Sequence, residues 1–430
     1  MNTGASERAD RVALVSQWFP PEPASLTKRF TGSLRRQGFA VEVLTGVPNY
    51  PRGVVYEGYS ARRRTVEKHD GMRVVRTPLY PSHDRSAFGR TVNYVSWAAS
   101  SALLGGRVLR DADVALVYSS PVTATAAAMT ARLRWGTPYV TMVLDLWPDN
   151  VFATGFLTEG LTRRLAEAAL GRFTDQSYRW ADHVTVPAPG LRDIIIDRGV
   201  PADKVSVIYN WADEKIMQPT EPEPGLRSRL GLTDEHFLLM YGGNLGAAQR
   251  LDVVIDAMSW LRDLPDVHLL LVGDGVEKDN LTARAMRDRP GNIHFLDPIP
   301  PDRMAARMAA ADLHLVSLAD EPLFRITLPS KIQSILACGQ PMLVCAPGDA
   351  ARITHDARAG FAAPPEDPAG LAAVIRSARA TPRHQLRAMG QAGRQYYLTH
   401  MSEASNERIL ADLLTEAARR GRTSRRNKRP

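Results

Sequence analysis

The residues best placed to do chemistry lie in the stretch Leu313–Ala346, LHLVSLADEPLFRITLPSKIQSILACGQPMLVCA. It reads as a buried strand (Leu313–Leu318), a polar loop, a short helix (Ser330–Cys338) and a second buried strand (Met342–Ala346). Gly339 and then Pro341 stop the helix, one by adopting a left-handed turn and the other by lacking an N–H. Ser330, directly after Pro329, is a good N-cap residue. A helix N-terminus at the end of a parallel strand offers free N–H groups and the positive end of the helix dipole, which suits an anion. Lys331 falls in that first turn. A cation opposes the dipole there, and a bound phosphate would offset it. A solvated surface lysine fits the same spacing.

Three further groups have the right types in the right places. Gly242-Gly243-Asn244-Leu245-Gly246 follows one strand and precedes a helix, so its backbone can approach a ligand closely. It is not the G-x-G-x-x-G dinucleotide pattern, and a plain tight turn is compatible with it. Gly273-Asp274-Gly275 is a second strand-end turn. Asp145 and Asp149 flank Leu146-Trp147-Pro148 at the end of an apolar run. An acid there can orient a hydroxyl or carry a proton. Asp149 also fits a helix cap, whereas Asp145 is harder to place on a solvated surface. The ten histidines form no H-x-x-x-H or H-E-x-x-H pattern, so no metal is expected. No G-x-S-x-G or phosphate-loop motif occurs.

The elements that must hold these residues alternate along the chain. Strands are expected at Arg11–Phe19, Phe39–Thr45, Met72–Leu79, Val114–Ser119, Tyr139–Leu146, His183–Pro187 and Lys204–Tyr209. Amphipathic helices are expected between them, among them Ser25–Gln37, Arg90–Arg110 and about 162–180. The Pro- and Glu-rich patch Glu221–Glu223 reads as a linker, after which the alternation restarts with Phe237–Tyr241, Val267–Val272 and Ile293–Leu296. Helices fill Leu371–Ala418. Alternation of this kind means parallel sheets covered by helices on both faces. The fold class is therefore α/β with two doubly wound Rossmann-like domains, ligands lying at the C-terminal ends of the strands. The expected boundaries are 1–216, 217–395, a helix 396–418 crossing back to the first domain, and a disordered basic tail 419–430.

Composition narrows the function. A hydrophobic fraction of 44% over 430 residues suits a soluble protein of two domains. The net charge of +8 comes from residues 419–430, which hold seven Lys/Arg and no acid. Without them 47 basic residues (54 − 7) face 46 acidic ones, so no nucleic-acid-binding surface is expected. Two cysteines, Cys338 and Cys345, make neither a disulfide framework nor a zinc site and fit a reducing compartment. Met1–Asp10 is polar and unlike a signal peptide, and no run reaches the roughly 20 apolar residues of a membrane span.

Taken together, VSQWFPPEPAS (15–25), LTGVPNYPRG (44–53), YSSPVTA (118–124), VLDLWPDN (143–150), YGGNLGAAQRLDVVIDAM (241–258), LLVGDG (270–275) and LPSKIQSILACGQPML (328–343) resemble the retaining family-4 glycosyltransferases of GT-B fold. The branch resembled is the one that builds bacterial O-antigen, capsule and colanic-acid exopolysaccharides. The resemblance implies a sugar-nucleotide donor, with UDP the expected nucleotide, in the C-terminal domain. It implies a lipid-linked or other glycan acceptor in the N-terminal domain, facing it across a cleft. It implies no metal or other cofactor. Carried over residue by residue, the donor site comprises Gly243, Asn244, Gly246, Arg250, Asp274, Thr327, Leu328, Ser330, Lys331 and Ser334. The acceptor side comprises Glu22, Ser25, Asn49 and Asp145, with Asp145 and Lys331 closest to the chemistry. Gln249-Arg250 stand where relatives have Lys-Gly, Ile326 and Ser334 stand where they have two glutamates, and Leu144 stands where many have histidine.

The resemblance further implies a cytoplasmic enzyme peripheral to the inner face of the membrane. Arg90–Arg110 with Tyr94 and Trp97, helix 25–37 and the basic tail are the surfaces expected to meet anionic lipid. A GT-B epimerase and a non-catalytic sugar-nucleotide-binding subunit are the competing readings. The first needs acid/base groups beside the sugar; the second is compatible with the missing glutamates.

Overall fold

Short β-branched and leucine-rich runs such as RVALV, VALVY, VHLLLV and LHLVS are buried almost end to end, so each can only be a central strand covered on both faces. The computed structural model describes residues 10–82, 87–147, 161–288 and 291–427. Its chain forms two compact units. One comprises the chain up to Pro187, Leu191–Ile208 and the chain from Glu407; the other comprises Ala188–Gly190 and Tyr209–Asn406.

In the first unit, β1 (Arg11–Val15), β2 (Ala40–Gly46), β3 (Thr65–His69), β4 (Met72–Thr77), β5 (Val114–Tyr118), β6 (Tyr139–Met142), β7 (His183–Val186) and β8 (Val205–Val207) lie in the order β3-β4-β2-β1-β5-β6-β7-β8. All pairs are parallel except β3 with β4. In the second unit, β9 (Phe237–Gly242), β10 (Val267–Val272), β11 (Ile293–Leu296), β12 (Leu313–Ser317), β13 (Met342–Cys345) and β14 (Gly360–Ala363) lie in the order β11-β10-β9-β12-β13-β14, all parallel. The strand order reverses between β1 and β5 in one sheet and between β9 and β12 in the other. Those reversals open a crevice at the strands' C-terminal ends, where ligands of such sheets bind.

Two expected boundaries shift. The second unit starts at Tyr209, because Asn406 Oδ1 accepts from Tyr209 N and Tyr397 Oη from Ala212 N, both tying this segment to the final helices. The Pro- and Glu-rich patch is no free linker, since Glu223 pairs with both Arg229 and Arg307. Those guanidiniums hold its carboxyl below the usual range.

The chain's end differs more. Glu403–Asn427 is one helix, so 419–427 is helical. Leu410, Leu414, Ala417 and Ala418 are buried along it. A Cβ on Gly421 would touch Pro138, and Arg422 pairs with Asp10. The apolar stripe continues into the arginine-rich segment and carries the helix with it; residues 428–430 lie outside the described part. The single helix expected at 90–110 is two, Ala87–Leu104 and Gly106–Asp111, broken where Gly105 packs against Leu44. Among the described residues no helix is long and apolar enough to cross a membrane.

Candidate functional site

At the β9/β12 reversal, two glycine turns press backbone against backbone. Gly243 and Gly273 hold φ of 139° and 155°, and a Cβ on Gly273 would lie 1.9 Å from Gly243 O. Only glycine fits such an approach. Gly243 N donates to Val272 O, and Leu245 N to Asp274 O. Helix Ser330–Ala337 starts beside this pair of turns, and Lys331 lies against Gly243, where a Cβ would meet its Cε at 2.6 Å. The ammonium sits 4.9 Å above the Tyr241 ring. No carboxylate pairs with it among the described residues, and burial pushes its pKa below the usual lysine value. This is a largely desolvated cation held by an aromatic face at a helix N-terminus, a place that calls for an anion.

A cavity of about 140 Å³ adjoins it, lined by Gly242, Gly243, Met304, His314, Lys331 and Ser334 among others. His314 is fully within β12. Burial lowers its pKa to about 4, a backbone bond at Met308 opposing the shift, so the ring is neutral at pH 7. Its Nε2 has no protein partner among the described residues. Neither Tyr241 nor His314 was legible as a site residue: each reads as one more position of an apolar strand.

The other donor-side residues are placed as follows. Ser330 is the first helical residue, and Pro329 holds the N-cap position without a side-chain cap, so Ser330 is not the N-cap. Ser334 Oγ donates back to Ser330 O at 3.2 Å, one turn inside the helix and on the cavity wall. Thr327 Oγ1 donates to Leu323 O, and Leu328 packs on the core beneath. Asn244 Nδ2 and Gly246 N both donate to Gln249 Oε1, and Tyr241 Oη donates to Asn244 O, which holds the turn in shape. Asp274 is exposed, 3.9 Å from Lys278. Arg250 is bound by Asp252 at 3.1 Å and by Glu366 at 2.7 Å, which raises its pKa further. Its charge is thus balanced, whereas no carboxylate pairs with Lys331 among the described residues. Ile326 packs on Gly190, whose added Cβ would meet it at 3.0 Å, an apolar contact at a position where the resemblance leads one to expect glutamate.

In the first unit, Asp145 follows β6 near the β1/β5 reversal. Its Oδ2 accepts from Ser120 Oγ at 2.6 Å, and Oδ1 has no protein partner among the described residues. Tyr118 lies near enough for the carboxylate to add to the effect of burial in pushing its phenol up to about 12. Around it stands an aromatic cluster: Trp18 is 5.3 Å from Tyr50 and 6.4 Å from Tyr94, and Tyr94 is 6.0 Å from Trp147. Trp18, Tyr50 and Tyr118 line a hollow of about 210 Å³. Trp97, expected at a membrane interface, is fully buried instead.

Glu22 and Asn49 sit behind this surface, buried. Glu22 accepts from Phe19 N, Asn49 N and Tyr50 N at 3.2, 2.9 and 2.8 Å. Burial raises its pKa against those bonds. Asn49 donates to Val47 O and accepts from Asn93. Both side chains are spent joining the 19–22 and 47–50 loops, so they position Trp18 and Tyr50 rather than face a ligand. Ser25 begins the helix Ser25–Arg36. Asp149 lies outside the described residues. Among the described residues no three His, Cys, Asp or Glu side chains gather as metal ligands would.

Two doubly wound parallel-sheet units, each with its candidate site at a strand-order reversal, define the GT-B class of two-domain α/β proteins. The profile described as "Glycosyl transferase 4-like domain" matches residues 23–211, and the one described as "Glycosyl transferases group 1" matches 236–380. The chain belongs to the family-4 glycosyltransferases of GT-B fold. It is similar to the putative colanic acid biosynthesis glycosyl transferase WcaI of Escherichia coli (strain K12), with 29% identity over 337 residues, 76% of this chain and 81% of that one. It is similar to the probable glycosyltransferase WbjE of Pseudomonas aeruginosa, with 25% identity over 268 residues, 62% of this chain and 66% of that one. Its fold matches the solved structure of Anabaena HepE in complex with UDP at a TM-score of 0.63, with 17% identity and coverage of 95% and 100%.

Proposed function

We propose that this chain moves a hexosyl or N-acetylhexosaminyl group from a UDP-sugar to a lipid-linked or other glycan acceptor in surface-polysaccharide assembly. The anomeric configuration is retained and no metal ion is required. The observation that carries this is Lys331: a half-buried cation, with no carboxylate partner among the described residues, over Tyr241, against the Gly243 turn and in the first turn of a strand-end helix. Lys331 and the helix N–H groups bind the diphosphate and stabilise the charge that builds on its β-phosphate as the glycosidic C–O bond breaks. The acceptor hydroxyl forms the new bond on the same face of the sugar, and its proton passes to the departing phosphate oxygen. Asp145, fixed by Ser120, orients that hydroxyl. The aromatic surface of Trp18 and Tyr50 is suited to stacking on a sugar ring of the acceptor. WcaI, by its name, is consistent with the pathway, WbjE, by its name, with glycosyl transfer, and HepE, by its bound UDP, with the donor.

The acceptor reading places the protein at the cytoplasmic face of the membrane. Helix Ala87–Leu104 leaves Val95 and Leu103 exposed, at 54% and 67%. Arg62, Arg63 and Arg64 are exposed too, and Arg64 donates to Leu104 O at the helix end. Apolar positions rimmed by arginines suit an anionic lipid surface. The test is a panel of UDP-sugars with a polyprenyl-diphosphate-sugar acceptor and a chelator present. Acceptor-dependent release of UDP with an α-linked product from an α-linked donor supports the reading; no release from any donor overturns it.

A further inference from the structure

A cavity of about 640 Å³ lies at the other end of the second unit, where β12 and β13 begin rather than end. Residues just ahead of those strands, Asp312 and Pro341, line it. So do Cys338 and Gly339, at the C-terminal end of the helix whose first turn holds Lys331. One wall is a face of helix Arg383–His400. Arg383, Arg387, Gln391 and Arg394 recur there at the four-, four- and three-residue steps of one helical stripe, and all line the cavity. A basic stripe on a helix is ordinarily a solvated face. This one is turned into a concavity.

The charges do not cancel. Arg227 and Arg383 share one buried carboxylate, Asp312, at 3.3 and 3.0 Å. Asp234 is the other acid on the wall, and only its backbone oxygen is used by Arg383. Arg394 donates to Ala337 O and meets no carboxylate among the described residues. Arg387 has no hydrogen bond or ion pair among the described residues, and it is exposed to the cavity mouth. Four guanidiniums against two carboxylates leave an excess of two positive charges. Guanidinium forks match the geometry of phosphate oxygens and bind them in pairs.

We propose that this cavity binds a doubly charged phosphate monoester, an effector held by Arg387 and Arg394 at a site separate from the donor diphosphate. The inference does not rest on the transferase reading. The ester is either a small phosphorylated metabolite or the phosphate of a lipid head group, since both present the same dianion.

The test is calorimetry on the full chain with glycerol 3-phosphate, comparing wild type, Arg387→Ala, Arg387→Lys and Lys331→Ala. Arg387 has no bonding partner among the described residues, so its replacement leaves the protein folded, and Lys keeps the charge. The expected result is one binding event weakened at least tenfold by Arg387→Ala, less by Arg387→Lys, and unchanged by Lys331→Ala. Vesicles containing phosphatidic acid then separate the sources. Retention lost in Arg387→Ala assigns the site to a head group, and binding of the soluble ester without such retention assigns it to a metabolite. No binding at millimolar ester, or binding abolished by Lys331→Ala and untouched by Arg387→Ala, overturns the proposal. Titration with UDP tests the donor site independently, so failure of one leaves the other standing.

Discussion

Replacing Lys331 by Met keeps the length and apolar stem of the side chain and removes only its charge. The ammonium has no carboxylate partner among the described residues, so nothing else is orphaned by the change. A charge-assisted hydrogen bond is worth about 1.5–3 kcal/mol. At 1.36 kcal/mol per decade this is a loss of about 10- to 150-fold in UDP affinity. Stability should move the other way. Burial lowers the pKa of Lys331, so the unfolded chain binds more protons between the folded value and 10.5. Wild-type stability from this group therefore rises with pH through that window, and at neutral pH the charge is a cost. The Met variant should melt at the same temperature as wild type or above it, while UDP raises its melting temperature far less. UDP affinity of the wild type should fall as pH climbs through the folded pKa. Calorimetry at pH 7 reads the first number and melting curves with and without UDP the second. An intact fold with unchanged UDP affinity would refute the assignment of the phosphate site.

Four further outcomes are expected. Asp145→Asn should lower turnover at least tenfold and leave UDP affinity within about twofold if, as proposed, the carboxylate serves the acceptor; equal loss of both in steady-state and binding assays counts against it. Trp18→Ala should raise the acceptor KM several-fold with a smaller change in donor KM, as expected for lost stacking; an unchanged acceptor KM removes the aromatic surface from the site. Glu22→Ala leaves three backbone amides without their acceptor and should lower stability by about 2–4 kcal/mol, at about 1–3 for each buried unmatched group and with some relief from water. Because burial holds its folded pKa above 4.5, Glu22 contributes most below that pH and less as pH rises through the folded value, so the gap in denaturation midpoint between wild type and variant should narrow over that window. Leu103→Asp should reduce co-sedimentation with vesicles containing anionic lipid and leave the melting temperature unchanged, the side chain being 67% exposed; unaltered sedimentation would show that this helix does not meet the membrane.

Strands buried on both faces announce themselves as apolar runs, so the central strands of both sheets were legible. The two that were not are edge strands. Thr65–His69, TVEKH, alternates with charge and pairs antiparallel with β4, and Gly360–Ala363, GFAA, has a glycine and two alanines where propensity looks for branched residues. The helical end was hidden by composition: seven cations within 419–430 suggest a tail, while Leu410, Leu414 and Gly421 carry the docking face on. At the donor side, the Gly243 turn and Lys331 could be read because strand, turn and helix start are local signals. The pairing of Arg250 with Glu366 could not, since it joins residues far apart in the chain. Nor could the roles of Glu22 and Asn49, which look like ligand groups until their loops close on them. Trp18, Tyr50, Tyr94 and Trp147 come from four separate segments, and no spacing links them.

In the proposed reaction Lys331 and Asp145 serve one sugar transfer, the first on the donor and the second on the acceptor. Single-turnover transfer from a radiolabelled UDP-sugar to a polyprenyl-diphosphate-sugar tests it most directly, with wild type, Lys331→Met and Asp145→Asn run at saturating and limiting donor. Excess donor should restore part of the Lys331→Met rate and none of the Asp145→Asn rate. Transfer by both variants at the wild-type rate, or no transfer by the wild type from any UDP-sugar, would contradict it.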